Sequence, residues 1–395
     1  MENIDSSTVI FVSQSLPGSS ALVNHSFRFA KALSLNGLNP LILVDEDNGN
    51  TTDIDRYGNL SYIGIRYVPV GGYSTTGSNY FKKLMVFLGF GNPSLRYLRQ
   101  LSKLPIAIIL QAPKLPLYLR FQSWCKNNKV QLILETMEWH DRNMYKHRII
   151  DWLDAEFRMK IIQKHHGKII VISRYLENYY HRNNSNVFIL PPVIDTNDMM
   201  WMPSNDHKDD TLLRLICSGS LIRDRQDIIL AGILRAKRHG LRIILEYVGT
   251  TREQMISMFQ NSELLDALGN SIVFHGVVPY EKVSSLLLHA DYAVLLREDA
   301  RWSRACFPSK VPEFLSLGLP LICNLTSDLG EYLTDGDEAF IINDLTEQAF
   351  FEAIRRASFT DFQKRKQMRV KARQRAVISF DINRYSKHLS DFIVQ

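Results

Sequence analysis

One alternation runs along nearly the whole chain: short, almost uninterrupted apolar stretches separated by segments with helical spacing. The opening TVIFVSQ is β-rich and breaks at SLPGSS. Leu22, Phe29, Ala30 and Leu33 then share a helical face, Gly37 closes that helix, and PLILVDED follows as a second strand. This is a βαβ unit. The rhythm continues through IAIIL from Ile106, VQLILETM from Val130, KIIVIS from Lys168 and NVFILPP from Asn186. Strands this continuously apolar belong to a parallel sheet covered by helices on both faces. Around Thr196 to Thr211 the pattern lapses into a polar, unpatterned linker. It restarts with LRLICSG, a helix over about Asp224–Arg238, then LRIILEYVG, SIVFHG, ADYAVLL and LPLICN. The reading is therefore two doubly wound, Rossmann-like α/β domains, residues 1–200 and 211–375, with residues 376–395 forming a terminal helix that crosses back to the first domain. Such domains take ligands at the carboxyl ends of their strands, so a cleft between the two is the expected site.

Bulk properties narrow the class. A chain of 395 residues exceeds what one ordinary core supports. Cys125, Cys217, Cys306 and Cys323 are scattered, with no CxxC pair, which points to a reducing compartment and away from structural zinc. The opening MENIDSSTVI has no basic stretch leading into an apolar one, so no signal peptide is expected. No apolar run approaches the roughly 18 residues that span a bilayer, and a cytoplasmic location is expected by elimination. Up to Asp198 there are 22 Lys and Arg against 16 Asp and Glu, while the remainder is balanced. A one-sided basic domain suits an anionic partner, although a solvated basic face has the same composition.

The most informative segment is Arg304–Asp335, RACFPSKVPEFLSLGLPLICNLTSDLGEYLTD. It reads as a loop, a helix starting near Pro308, a stop at Gly318, a buried strand and a second helix. Ser309 and Lys310 would stand in the first helical turn, where unpaired N–H groups and the helix dipole favour a phosphate. Glu313, one turn on, can accept two hydrogen bonds from vicinal hydroxyls such as those of a ribose. The competing reading is a capped structural helix with Glu313 complementing its dipole.

PSKVPEFLSLGLPLICN followed by GEYLTDG resembles the donor-site signature of family 4 retaining glycosyltransferases, of bacterial polysaccharide type, which have the GT-B fold. VISRYLENYY…VFILPPVIDTNDM, SGSLIRDRQDIILAGI, LEYVGTTRE and IVFHGVVPYEKVSSLLLHADYAVLL resemble further parts of that family in the same order. The resemblance implies that Glu313 binds the ribose and that Ser309 and Lys310 lie against the diphosphate, with Val311 beside them in the donor site. It implies that Arg223 or Arg225 neutralises the diphosphate, that His275, Gly276, Val277 and Val278 meet the base, and that Ser220 belongs to the donor loop. It also likens Gly18, in SLPGSS, to a glycine whose loop approaches the donor phosphates. Two positions depart from the family. Ala305 stands where a first glutamate is often found, and Gln226 near where a lysine often stands.

In the first domain, LILETMEWHDRN ends a strand with Glu138, His140 and Asp141. His140 or Glu138 is expected to orient an acceptor hydroxyl or receive its proton; a polar turn capped by Asp141 is the alternative. Asp45-Glu46-Asp47 looks like a metal triplet but reads better as a solvated turn, and adjacent His165 and His166 point to different faces of a helix. No metal, cofactor or nucleic acid is expected. Tyr80–Lys103 mixes apolar residues with Lys82, Lys83, Arg96, Arg99 and Lys103, a composition suited to an anionic membrane surface and equally to core-facing helices with solvated cationic sides.

These implications make a metal-independent hexosyltransferase that moves a sugar from a UDP- or GDP-sugar to a hydroxyl of a saccharide or lipid-linked acceptor. Arg225 or Arg223 and Lys310 would stabilise the leaving diphosphate, and His140 or Glu138 would serve the acceptor. The rival classes are a sugar-nucleotide epimerase on the same fold and a non-catalytic relative that partners another transferase.

Overall fold

The computed structural model describes residues 4–13, 16–17, 21–45, 60–71, 80–145, 148–184, 186–204, 212–219, 222–259 and 262–395; for residues 21–22 and 80–83 it describes the backbone only. Two compact units are formed, Met1–Val193 with Ile382–Gln395, and Ile194–Asp381.

The first unit is built on an eight-stranded sheet of β1 (Thr8–Ser13), β2 (Asn39–Val44), β3 (Ser61–Tyr62), β4 (Ile65–Pro69), β5 (Ala107–Gln111), β6 (Gln131–Thr136), β7 (Ile169–Val171) and β8 (Val187–Ile189). Its order is β3-β4-β2-β1-β5-β6-β7-β8, parallel except for the β3–β4 pair. β1 and β5 are buried along their whole length, as near-continuous apolar strands require. Phe29, Ala30 and Leu33 of the helix Ala21–Ser34 enter the core with Phe11 and Ile42. The chain runs outward from β1 in one direction and then resumes at β5 on its other side. That reversal opens a crevice at the carboxyl ends of β1 and β5.

The second unit has a six-stranded, wholly parallel sheet of β9 (Leu213–Ser218), β10 (Ile243–Val248), β11 (Ile272–Gly276), β12 (Tyr292–Leu295), β13 (Leu321–Asn324) and β14 (Ala339–Ile342). The order β11-β10-β9-β12-β13-β14 puts its switch point between β9 and β12. Leu215, Ile229, Ile233, Leu245 and Phe350 form the centre of its core.

The unit boundaries fall at Val193/Ile194 and Asp381/Ile382, where the sequence suggested residues 200 and 375. The reason lies in hydrogen bonds between distant segments that the linker composition does not display. The Ile194 N–H donates to the Phe380 carbonyl at 2.9 Å, and the Thr196 N–H donates to the Asp381 carboxylate at 3.1 Å. Arg373 donates to the carbonyls of Trp201 and Thr196 at 3.1 and 2.6 Å. The terminal helix expected over residues 376–395 is two helices, Phe362–Phe380 in the second unit and Ile382–Val394 in the first, broken where Asp381 adopts extended backbone. Among the described residues all four cysteines are free thiols, and no helix is long and apolar enough to cross a membrane.

Candidate functional site

The carboxyl ends of β9, β10 and β11 carry glycines with positive φ: Gly219 at 98°, Gly249 at 98° and Gly276 at 64°. They are stitched together in series. The Gly219 N–H donates to the Val248 carbonyl at 2.9 Å, and the Gly249 N–H donates to the Gly276 carbonyl at 2.7 Å. A Cβ on Gly249 would stand 3.3 Å from the Gly219 carbonyl oxygen, so both the dihedral and the close approach require glycine there. The result is a strand edge without side chains, against which a ligand can lie directly on backbone.

Lys310 reaches this edge from another element, its Cε standing 3.4 Å from where a Gly219 Cβ would be. The helix expected near Pro308 begins at Val311, with Pro312 in its first turn and Lys310 as N-cap. Ser309 and Lys310 form the preceding turn, closed by the Val311 N–H to Pro308 carbonyl bond at 3.0 Å. Proline fits the first turn, where its missing N–H would have had no helical partner, which sets the start one turn later than read. Glu313 is 3 % exposed; its Oε2 is 3.1 Å from the Lys310 ammonium and its Oε1 accepts from the Tyr280 hydroxyl at 3.3 Å. His275 pairs with Glu246 at 2.7 Å, and Val277 is exposed beside it while Val278 is half-buried.

The two arginines left open by the sequence have different neighbours. Arg225 is held by Asp227 in a two-point pair, 2.9 and 2.6 Å, which also raises its pKa. Arg223 lies over the Trp302 ring at 5.4 Å, with Nη1 3.7 Å from the Cys306 sulfur. Between them, Asp224 is nearly buried and bridged to Arg297 at 3.0 Å. Burial raises the Asp224 pKa, while Arg297 and Arg223 pull the other way. The Asn324 side chain clamps Arg297 by both its N–H and its carbonyl, at 2.9 and 2.7 Å. This largely covered pair at the switch point was not singled out in the sequence; an arginine closing the apolar strand ADYAVLL is the signal that could have found it. Ala305 is fully buried, and Gln226, also buried, accepts from the Tyr247 hydroxyl at 2.6 Å as part of the core. Gly18 and Ser220 lie outside the described residues.

In the first unit a cavity of about 260 Å³ opens at the carboxyl ends of β1, β5 and β6, and Glu138 and His140 both line it. Trp139 between them is buried edge-on against Tyr179, ring centroids 4.9 Å apart. Anchoring that ring turns its two neighbours to the cavity side. The His140 ring is 5.8 Å from that of Tyr145. Asp141 accepts from the Trp139 indole N–H at 3.2 Å and makes no side-chain cap.

Several further cavity residues escaped the sequence reading. Ala112 has a φ of 40°, unusual for a residue with a Cβ. It is held by its N–H to the Glu135 carbonyl at 2.9 Å and by Arg158, whose Nη1 donates to the Ala112 carbonyl at 2.5 Å. Arg158 opens a π-turn, Arg158–Ile162, within the helical stretch from Ile149 to His165. π-turns of this kind gather at functional sites. Beneath the cavity, buried Glu135 contacts His25 at 2.9 Å and accepts from Gln111 at 3.1 Å. Burial raises the Asp154 pKa against the opposing Leu115 N–H and Arg158. At Asp151 burial also pushes upward, but hydrogen bonds from Lys114 and Arg148 outweigh it and leave the carboxyl lowered. The cavity thus mixes donors and acceptors of both charges, as hydroxyl-rich ligands require.

Asp45 accepts from the Ser94 hydroxyl at 2.5 Å, while Glu46 and Asp47 lie outside the described residues. His166 is buried and its Nε2 contacts the Leu132 carbonyl at 2.9 Å. Among the described residues no group of three or more His, Cys, Asp or Glu is placed to hold a metal ion.

Residues 213–358 match the family model for glycosyl transferases group 1. The matched segment carries β9 through β14, with Gly219, Arg223, His275, Lys310 and Glu313 inside it. No curated protein matches the chain in sequence. Among solved structures, a glycosyltransferase from Rickettsia africae ESF-5 is similar with a TM-score of 0.68 at 13% identity, covering 99% of this chain and 100% of that one. Anabaena Alr3699/HepE in complex with UDP-glucose gives 0.70 at 11% identity over 97% and 98%. The catalytic domain of Starch Synthase IV from Arabidopsis thaliana, bound to ADP and acarbose, gives 0.71 at 12% identity over 99% and 100%. The fold is that of the GT-B glycosyltransferases: two α/β domains, each on a parallel, Rossmann-like sheet.

Proposed function

We propose that this chain is a retaining, metal-independent glycosyltransferase of family 4 and of bacterial polysaccharide type. It transfers a hexose from a nucleoside-diphosphate sugar to a hydroxyl of a saccharide or lipid-linked saccharide. The observation that carries the reading is the side-chain-free edge at Gly219 and Gly249, with Lys310 and Glu313 brought against it inside the segment that matches the family model. The diphosphate lies on that glycine edge, paired by Lys310 and Arg223. Glu313 accepts from the ribose hydroxyls, and the strand end at His275–Val278 meets the base.

In the reaction the bond from the anomeric carbon to the diphosphate oxygen breaks, and the electron pair leaves on the diphosphate. The acceptor oxygen bonds the anomeric carbon from the same face, and its proton passes to His140, Glu138 or the departing phosphate. Each well-placed charged donor toward the leaving group contributes roughly 2–4 kcal/mol. Incubation with UDP-, GDP- and ADP-sugars tests this. One of them stabilises the protein, by about 2.7 kcal/mol at a hundred times its Kd, and is slowly hydrolysed without acceptor. Absence of both effects with every sugar nucleotide refutes the proposal.

The acceptor's lipid class is supported by the surface of the first unit. Ile149, Leu153, Phe157 and Ile161 are exposed by 63%, 52%, 46% and 49% at four-residue spacing along one helical stretch, which also carries Arg148, Lys160 and Lys164. Arg96 and Arg99 are exposed one turn apart at the end of Tyr80–Lys103; the Lys82 and Lys83 side chains lie outside the described residues. Apolar anchors with cations beside them suit an anionic membrane surface on the cytoplasmic side. Cosedimentation with anionic and neutral vesicles at two salt concentrations tests this. Binding no stronger to anionic than to neutral vesicles would favour a water-soluble acceptor.

A further inference from the structure

The turn Arg223–Asp224–Arg225, between β9 and the helix Gln226–Arg238, is docked residue by residue on the segment that follows β12. The Arg225 N–H donates to the Leu296 carbonyl at 2.8 Å. Asp224, largely covered, is bridged to Arg297 at 3.0 Å. Arg223 lies over the Trp302 ring, its guanidinium carbon 5.4 Å from the ring centroid, with Nη1 3.7 Å from the Cys306 sulfur. Three successive residues thus meet three separate anchors, and the middle pair fixes the turn from which Arg223 extends.

Trp302 is itself held from several sides. It belongs to the short helix Arg301–Ala305, in which Ser303 and Ala305 are fully buried. The Ser303 hydroxyl lies 2.6 and 2.8 Å from the carbonyl oxygens of Glu298 and Ala300, which ties this helix back to the end of β12. The Trp302 indole N–H donates to the Glu298 carboxylate at 3.3 Å, and the Trp302 carbonyl accepts from the Cys306 N–H at 3.0 Å. Its buried neighbours set the helix, and the indole stays half-buried with Arg223 against its face.

An indole is the aromatic face to which a guanidinium is drawn most strongly. Stacking uses the flat face of the guanidinium, whereas phosphate is paired at its N–H edge, so the two contacts are compatible. An arginine side chain also has much rotamer freedom, which a ligand must otherwise freeze as it binds.

We propose that Trp302 is a positioning residue for the leaving diphosphate: its ring holds the Arg223 guanidinium ready to pair the phosphate oxygens. The inference rests on the transferase reading, in which Arg223 meets the diphosphate.

Calorimetry on the full chain with pyrophosphate, and with UDP, GDP and ADP in turn, tests it. Trp302→Leu keeps apolar bulk without a π face, and is expected to weaken binding of pyrophosphate and nucleoside diphosphate by about two- to fivefold. Trp302→Phe keeps a π face and retains most of the affinity. The corresponding nucleoside binds both variants and the unaltered chain alike. In the Arg223→Ala background Trp302→Leu costs nothing further, because the ring acts through that one side chain. Trp302→Met, also without a π face and more adaptable in shape, replaces the leucine variant if circular dichroism shows that one unfolded. Equal losses in the leucine and phenylalanine variants overturn the proposal, since a ring that only fills space gives that result. So does a loss that persists in the Arg223→Ala background, or unchanged pyrophosphate affinity in Trp302→Leu where Arg223→Ala lowers it. A loss confined to the sugar nucleotide assigns the ring to the sugar and overturns it as well. Failure of the transferase reading is distinct: no diphosphate binds the unaltered chain, or Arg223→Ala changes nothing, and the role of Trp302 falls with it.

Discussion

Replacing Glu313 by alanine removes a carboxylate that is 3 % exposed and shared between Lys310 at 3.1 Å and the Tyr280 hydroxyl at 3.3 Å. If ribose hydroxyls donate to it, the loss is that of a hydrogen bond to a charged group, about 1.5–3 kcal/mol. That weakens nucleoside diphosphate binding by about ten- to 150-fold. The same change frees Lys310 from its partner, so pyrophosphate, which has no ribose, binds as well as before or more tightly. Glu313→Gln keeps an acceptor oxygen without the charge and loses less than Glu313→Ala. Folding is affected modestly, because Lys310 is 24% exposed and can turn its ammonium to water. Calorimetry with nucleoside diphosphate and pyrophosphate, on variants verified as folded by circular dichroism, separates these effects. Unchanged nucleoside diphosphate affinity, or an equal loss for pyrophosphate, refutes the ribose assignment.

Arg223→Ala should weaken nucleoside diphosphate binding by about tenfold or more and spare the nucleoside, while Arg225→Ala should cost little, since its pair with Asp227 is a surface ion pair worth about 0–1 kcal/mol. The reverse ranking, read by the same titrations, reassigns the diphosphate contact to Arg225. His140→Ala and Glu138→Gln should cut transfer by about 10²–10⁴-fold and leave donor affinity within about twofold; loss of donor affinity in both would remove these residues from the acceptor side. Finally, burial lowers the His166 pKa below the ordinary 6.5, against an opposing hydrogen bond with the Leu132 carbonyl. The folded chain therefore binds this proton later than the unfolded chain as pH falls. Stability is complete above about pH 6.5 and declines below it by at most about 1.4 kcal/mol per pH unit, until the folded pKa is reached. Urea melts of the chain and of His166→Gln should show this slope flattened in the variant; identical slopes would exclude His166 as its source.

How far each feature was legible depends on the distance over which it is written. Near-continuous apolar runs such as Ala107–Gln111 and Leu321–Asn324 declare buried parallel strands by themselves, because only a sheet covered on both faces can absorb them. The short strands Ile65–Pro69, next to the sheet edge, and Ala339–Ile342, at a sheet edge, were not read, one carrying Arg66 and the other sitting among acidic residues. The helix start moved from Pro308 to Val311, because the Val311 N–H bond to the Pro308 carbonyl is a turn that periodicity does not resolve.

The sequence by itself determined two stretches of βα alternation, the doubly wound fold class, and a turn into a helix carrying Lys310 and Glu313 three residues apart. Those are local facts, set by side-chain periodicity and by residues within a few positions of each other. Tertiary structure alone decided what completes each site. It brings Arg297 to Asp224, His25 to Glu135 and Arg158 to Ala112, pairs 73, 110 and 46 residues apart. It also engages Arg225 with Asp227 while turning Arg223 toward Trp302. In each case the deciding quantity is which charges share a desolvated space. Strand order and helix docking set that quantity, and spacing along the chain leaves it open.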